Sequence, residues 1–187
     1  MPNLLSIPYQ TFDIHHVYLS PFQLDKYGKW MAQLSYKDHS IDLNDVCLLT
    51  PVLRVIDYQP ETSRLRLDVS DHYHFQVKLN TLYEYLISTF YVHQHGFLQM
   101  KHKTMDAIRQ MFYFLVDGPV LSLYIYPTTL VRQESAEPCR ISDIQPGDTL
   151  RCVIRFQGVS QLAHRDGMRL RLHHSVPCVF RGAAKGL

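Results

Sequence analysis

None of the 187 residues belongs to an apolar run long enough to cross a bilayer as a helix. The best runs, such as residues 120–125, are strand-sized against the ~20 residues such a helix needs. The opening Met1-Pro2-Asn3-Leu4-Leu5-Ser6 lacks the basic cluster and apolar core of a secretion signal. Cys47, Cys139, Cys152 and Cys178 form no C-x-x-C pair and no repeating spacing, so neither a zinc knuckle nor a disulfide framework is expected. These absences predict an intracellular protein, neither exported nor membrane-embedded, with reduced and mostly buried thiols.

Signatures of catalysis are missing as well. There is no P-loop, no G-x-G-x-x-G, no G-x-S-x-G and no H-E-x-x-H. The neighbouring histidines do not replace them. His93 and His95 lie two apart near a predicted helix end and diverge, while His72 and His74 meet no completing carboxylate pattern. No catalytic residue, metal or cofactor is nominated, and the chain reads as a non-enzyme.

What is present is enough apolar surface to fold. Hydrophobic residues make up 46% and charged residues 19%, which offsets the entropy of ordering the chain and excludes global disorder. The expected architecture is α+β and β-rich, one domain over residues 1–187. Its parts are an N-terminal strand extension (1–45), a hairpin (46–70), a helical insertion (77–118) and closing strands (120–180).

Periodicity supports this order. Residues 12–19 and 29–36 read as short strands separated by Ser20-Pro21 and Tyr27-Gly28. In residues 64–69, Leu65, Leu67 and Val69 alternate with Arg64, Arg66 and Asp68, placing the apolar set inward. Thr81 with Glu84 has the form of a capping box, followed by Leu82, Leu86 and Phe90 at helical spacing and Gly96 as a stop. Thr104 caps a second predicted helix, with Ile108, Met111, Phe112 and Leu115 as its stripe and Gly118-Pro119 as its end. Strands return at residues 120–126, where Tyr124 and Tyr126 face away from Leu121, Leu123 and Ile125. A Pro146-Gly147-Asp148 turn then starts a strand over 149–158. A nine-residue connection, 159–167, leads to a last strand, and this pair forms a hairpin with arginines on its exposed side.

Charge is lopsided along the chain. From Arg151 onward seven cationic residues face the single Asp166, so this end carries +6 and residues 1–150 carry −4. A basic end on an acidic body is the sequence form of an anion-binding face. Arg151, Arg155 and Gln157 point outward from one closing strand and Arg169, Arg171 and His173 from the other, with Arg64 and Arg66 as similar positions on the earlier hairpin. Arginine both pairs with phosphate and lies flat on a base. Tyr124 and Tyr126 would add the π-faces on which single-stranded bases stack, unless they pack as core.

Residues 141–160, which end in Phe156-Gln157-Gly158-Val159-Ser160, and then Met168-Arg169-Leu170-Arg171-Leu172-His173-His174 carry a resemblance. The pattern, a turn, a strand ending near F-x-G-(V/I/L)-S, a variable loop, then R-(L/V/I)-x-H, resembles the closing strands of a viral family. That family is the OB-fold single-stranded-DNA-binding proteins of nucleocytoplasmic large DNA viruses, the African swine fever virus type. The resemblance implies an OB-like β-barrel with two helices inserted between strands, no enzymatic activity, and protection of single-stranded DNA in viral replication or packaging. The protein would then work at a cytoplasmic or nuclear replication site of the host cell, or in the virion. It also implies that Arg155, Gln157, Arg169, Arg171 and His173 line the DNA. His173-His174 and Pro177 depart from the family's longer uninterrupted last strand, because proline cannot donate to a ladder. Single-stranded DNA, with RNA left open, is the expected partner. The competing reading is a virion or scaffold component whose basic strand face meets an acidic protein.

Overall fold

The computed structural model describes residues 5–24, 26–98, 102–133, 138–165 and 167–182. The chain is an α+β protein, dominated by strands. It opens with β1 (Ile7–Pro8), β2 (Val17–Leu24), β3 (Trp30–Lys37), β4 (Asp42–Leu43), β5 (Val46–Leu49), β6 (Leu53–Gln59) and β7 (Arg64–Asp68). Three helices follow, α1 (Tyr73–Val92), α2 (Gln94–Phe97) and α3 (Met105–Met111). The remaining strands are β8 (Phe112–Tyr113), β9 (Val116–Asp117), β10 (Val120–Tyr124), β11 (Leu130–Gln133), β12 (Thr149–His164) and β13 (Gly167–Arg181).

The alternating segments fold as their pattern requires. Strands β6 and β7 form an antiparallel hairpin, closed by Ser63 in the left-handed region at φ 52°. Leu65, Leu67 and Val69 are fully buried, and β10 pairs with β7 and buries Leu121, Leu123 and Ile125 on the same side. These side chains join one apolar cluster with Phe75, Leu79, Leu86 and Phe90 of α1.

Strand β12 is the spine. One edge pairs along its length with β13, and the other meets β6, β5 and β3 in succession. Sixteen residues span about 50 Å when extended, so one strand serves three neighbours only by bending. Two bulges bend it. Between Val153↔Cys178 and Arg155↔Ser175, Ile154 faces both Val176 and Pro177, and between Phe156↔His174 and Gly158↔His173, Gln157 is the extra residue. Pro177 thus sits where the ladder is already interrupted, and β13 continues through it.

Four expectations are corrected here. Residues 159–164 are not a connection but the second half of β12, and the chain reverses before Gly167, whose φ of 116° suits a residue without a side chain. Ser20-Pro21 does not separate strands; it falls at a register shift inside β2. Thr81 is not a cap: α1 begins eight residues earlier, at Tyr73, and the Thr81 hydroxyl donates to the Val77 carbonyl at 2.8 Å, while Glu84 pairs with Arg109 of α3 at 2.7 Å. Thr104 does cap α3, accepting from the Ala107 N–H at 3.2 Å, but that helix ends at Met111 rather than Gly118.

The sheet does not close on itself. Among the described residues no backbone ladder joins β10 to β13. The outer edge of β13 pairs with β8 at Leu170 and Arg171 and with β11 from Cys178 to Arg181, leaving the stretch between them facing β10.

Candidate functional site

Side chains bridge that seam instead. The Tyr124 N–H of β10 donates to Nε2 of His174 at 3.0 Å, and the Thr129 hydroxyl donates to the Val176 carbonyl at 2.6 Å. Because Nε2 accepts the Tyr124 bond, the neutral imidazole carries its proton on Nδ1. Burial pushes this imidazole down to about 4 against a smaller opposing pull from the Leu172 backbone, and the neighbouring His173 and Arg171 push it the same way.

Above this bridge lies a groove of about 410 Å³. One wall comes from the β8 side: Tyr113, Phe114 and Arg171. The other comes from the β7–β10 side: Arg64, Tyr124 and Tyr126. Leu115, Ser122, Leu172, His173 and His174 complete the lining, which contains no carboxylate. Register dictates the pairing on each wall. Arg171 is the cross-strand partner of Tyr113 and Arg64 that of Tyr124, so each guanidinium lies over its neighbour's ring, 5.7 Å from the centroid in both cases. Neither arginine has an ion-pair partner among the described residues. Tyr113, Phe114 and Tyr126 are 42%, 44% and 53% exposed, large for aromatic side chains with no role in the core.

The β8 wall is anchored from below. The buried Tyr83 hydroxyl of α1 donates to the Tyr113 carbonyl at 3.2 Å and accepts from the Leu115 N–H at 3.1 Å, and its ring packs against Phe114 at 4.7 Å. Lys29 brings a further cation to the rim, with its Nζ 2.6 Å from His173 Nε2.

Of the ten residues expected from sequence, Arg64, Tyr124, Tyr126, Arg171 and His173 meet in this groove. Arg169 stands beside it, donating to the Gln110 carbonyl at 2.6 Å with its guanidinium 6.0 Å from the Tyr113 ring. The remaining four do not join them, so the expected continuous arginine face is corrected to two walls of a seam. Arg66 is paired with Asp57 at 2.9 Å, because the bulge in β6 places Asp57 directly opposite it. Arg155 is paired with Asp45, and Arg151 donates to the Thr50 carbonyl at 3.2 Å. Gln157 is the bulge residue of β12. Sequence reading missed Tyr113, Phe114, Ser122 and His174. The run Phe112-Tyr113-Phe114 ahead of Asp117-Gly118, a hairpin dipeptide, was the available signal for the first two.

The cysteines are unpaired, and burial pushes the Cys47 and Cys152 thiols up to about 12, which keeps them protonated and unreactive. Among the described residues no three His, Cys, Asp or Glu side chains converge to hold a metal ion, and no helix is long and apolar enough to cross a membrane.

The seam carries a pH signature. The folded His174 pKa of about 4 lies below the ordinary 6.5, so between these values the unfolded chain binds a proton that the folded chain refuses. Its contribution to stability is therefore complete above pH 6.5 and is lost as pH falls toward 4, on the order of 3 kcal/mol in all. In His174→Gln the stability curve between pH 6.5 and 4 should flatten relative to the native chain. Urea denaturation across this range checks it, and parallel curves would contradict the assignment.

No family model matches this chain, and neither a curated protein nor a solved structure matches it.

Proposed function

We propose that this chain binds single-stranded DNA without strong sequence preference, taking bases into the groove between β10 and β13. In this reading the strands form an OB-like barrel left open at one seam. The protein is not an enzyme, and it protects exposed single strands during viral DNA replication or packaging inside the host cell. The observation that carries the proposal is the meeting of four aromatic side chains with two guanidinium groups in a groove without a carboxylate. Stacking of a base on an aromatic ring is worth ~1–3 kcal/mol and tolerates any base, since every base has a π-face. Arginine supplies the phosphate contacts, and because those release counterions the affinity depends on salt.

A fluorescence-anisotropy titration with a labelled poly-pyrimidine oligonucleotide tests the proposal, with an acidic peptide of equal charge as competitor. Binding should weaken steeply with salt, by a slope of roughly −0.7 per phosphate contact on a log–log plot. The peptide should displace the oligonucleotide poorly. Oligonucleotide binding that is absent at low salt, together with tight binding of the peptide, would return the basic face to a protein partner.

A further inference from the structure

We infer that the groove is a slot for a single nucleotide, holding one base between its two walls and the phosphates flanking that base at Arg64 and Arg171. The inference rests on the single-strand reading above and adds its stoichiometry and the chemical minimum of the ligand. At about 410 Å³ the groove lies near the lower end of the roughly 300–1,000 Å³ typical of small-ligand sites, room for one nucleotide and not for a run of stacked ones. The walls repeat one arrangement from opposite sides. A tyrosine and its cross-strand arginine, Tyr113 with Arg171 and Tyr124 with Arg64, stand on either side of the seam. Each pair offers a flat face to a base and a cation at the rim, so a strand crossing the seam meets a cation before the inserted base and another after it. On the floor, the half-buried Ser122 side chain presents a hydroxyl that both donates and accepts, and so suits the edge of any base.

A slot of this kind recognises a base and a phosphate joined together. Thymidine monophosphate should therefore bind the native chain by itself, with thymidine and inorganic phosphate each at least roughly tenfold weaker, because one lacks the charge and the other the stack. Isothermal titration with the three compounds measures this directly. Tyr113→Leu and, on the opposite wall, Tyr124→Leu should each weaken thymidine monophosphate by roughly tenfold, while Tyr113→Phe retains binding. Circular dichroism melts identify any variant that fails to fold, and the remaining wall then carries the test. Phosphate binding as well as the monophosphate, or both leucine variants binding normally, overturns the slot. A polythymidylate that binds while the monophosphate neither binds nor competes also overturns it but leaves the single-strand reading standing. A monophosphate that binds as tightly as the oligonucleotide keeps the slot and removes the single-strand reading.

Discussion

Reversing Arg64 and Arg171 together to glutamate should weaken oligonucleotide binding by roughly hundredfold or more at low salt. The fold should be left intact. Hydrogen bonds to a charged group contribute ~1.5–3 kcal/mol each, and two are removed at once before any repulsion between carboxylate and phosphate is counted. The log–log salt slope should fall by roughly 1.4, the share of two phosphates on a single strand. Among the described residues neither guanidinium is held by a carboxylate, and what each loses inside the protein is a rim contact with one tyrosine ring, worth ~0.5–1 kcal/mol at an exposed site, with, for Arg64, a long exposed hydrogen bond to the Tyr124 hydroxyl at 3.4 Å. A thermal melt separates the two effects. The same reversal at Arg66 and Arg155 should do the opposite, because each would place a carboxylate against a carboxylate, Asp57 in one case and Asp45 in the other. That pair of variants should lose stability while the groove itself is untouched.

The largest effect on folding is expected at Gly158. Here β12 is gripped on both edges, by His173 of β13 and by Gln33 of β3, and a Cβ would stand 2.2 Å from the Ala32 carbonyl oxygen and 3.0 Å from the Met31 side chain. The oxygen belongs to backbone and cannot swing away, so β3 and β12 must separate. Overpacking typically costs ~1–3 kcal/mol, and a clash with the backbone of a paired strand belongs at the upper end of that range. At 2–4 °C per kcal/mol for a chain of this size, Gly158→Ala should lower Tm by roughly 6–12 °C. An unchanged Tm would mean that the junction of β3, β12 and β13 is looser than described.

How much of this was legible in the sequence depended on what each residue's position answers to. Burial on a strand answers to local alternation, so Leu65, Leu67, Val69, Leu121 and Leu123 were readable from their neighbours alone. The outward direction of the arginines was readable for the same reason. Their partners were not: a bulge in β6 sets Asp57 opposite Arg66, and Asp45 reaches Arg155 from just ahead of β5, two residues before Cys47, the cross-strand partner of Arg155. Helix ends were misjudged where a capping pattern recurs inside a helix. His72 precedes α1 without a side-chain cap, while Thr81 and Glu84 mimic one near its middle. The second half of β12 hid because it does not alternate: Ser160 is buried, and the half-buried Gln161 donates to the Phe97 carbonyl at 3.0 Å. Most of one groove wall was lost to the assumption that the helix ran on to Gly118. Ending it at Met111 takes Tyr113 and Phe114 off the expected helix and into the seam.

The central claim is that bases enter the space between β10 and β13, and crosslinking addresses it most directly. An oligothymidylate carrying one photoreactive 5-iodouracil, irradiated on the native chain and followed by peptide mapping, should attach at Tyr113, Phe114, Tyr124 or Tyr126. Attachment confined to aromatics remote from the groove, such as Tyr18 or Tyr73, would contradict the account.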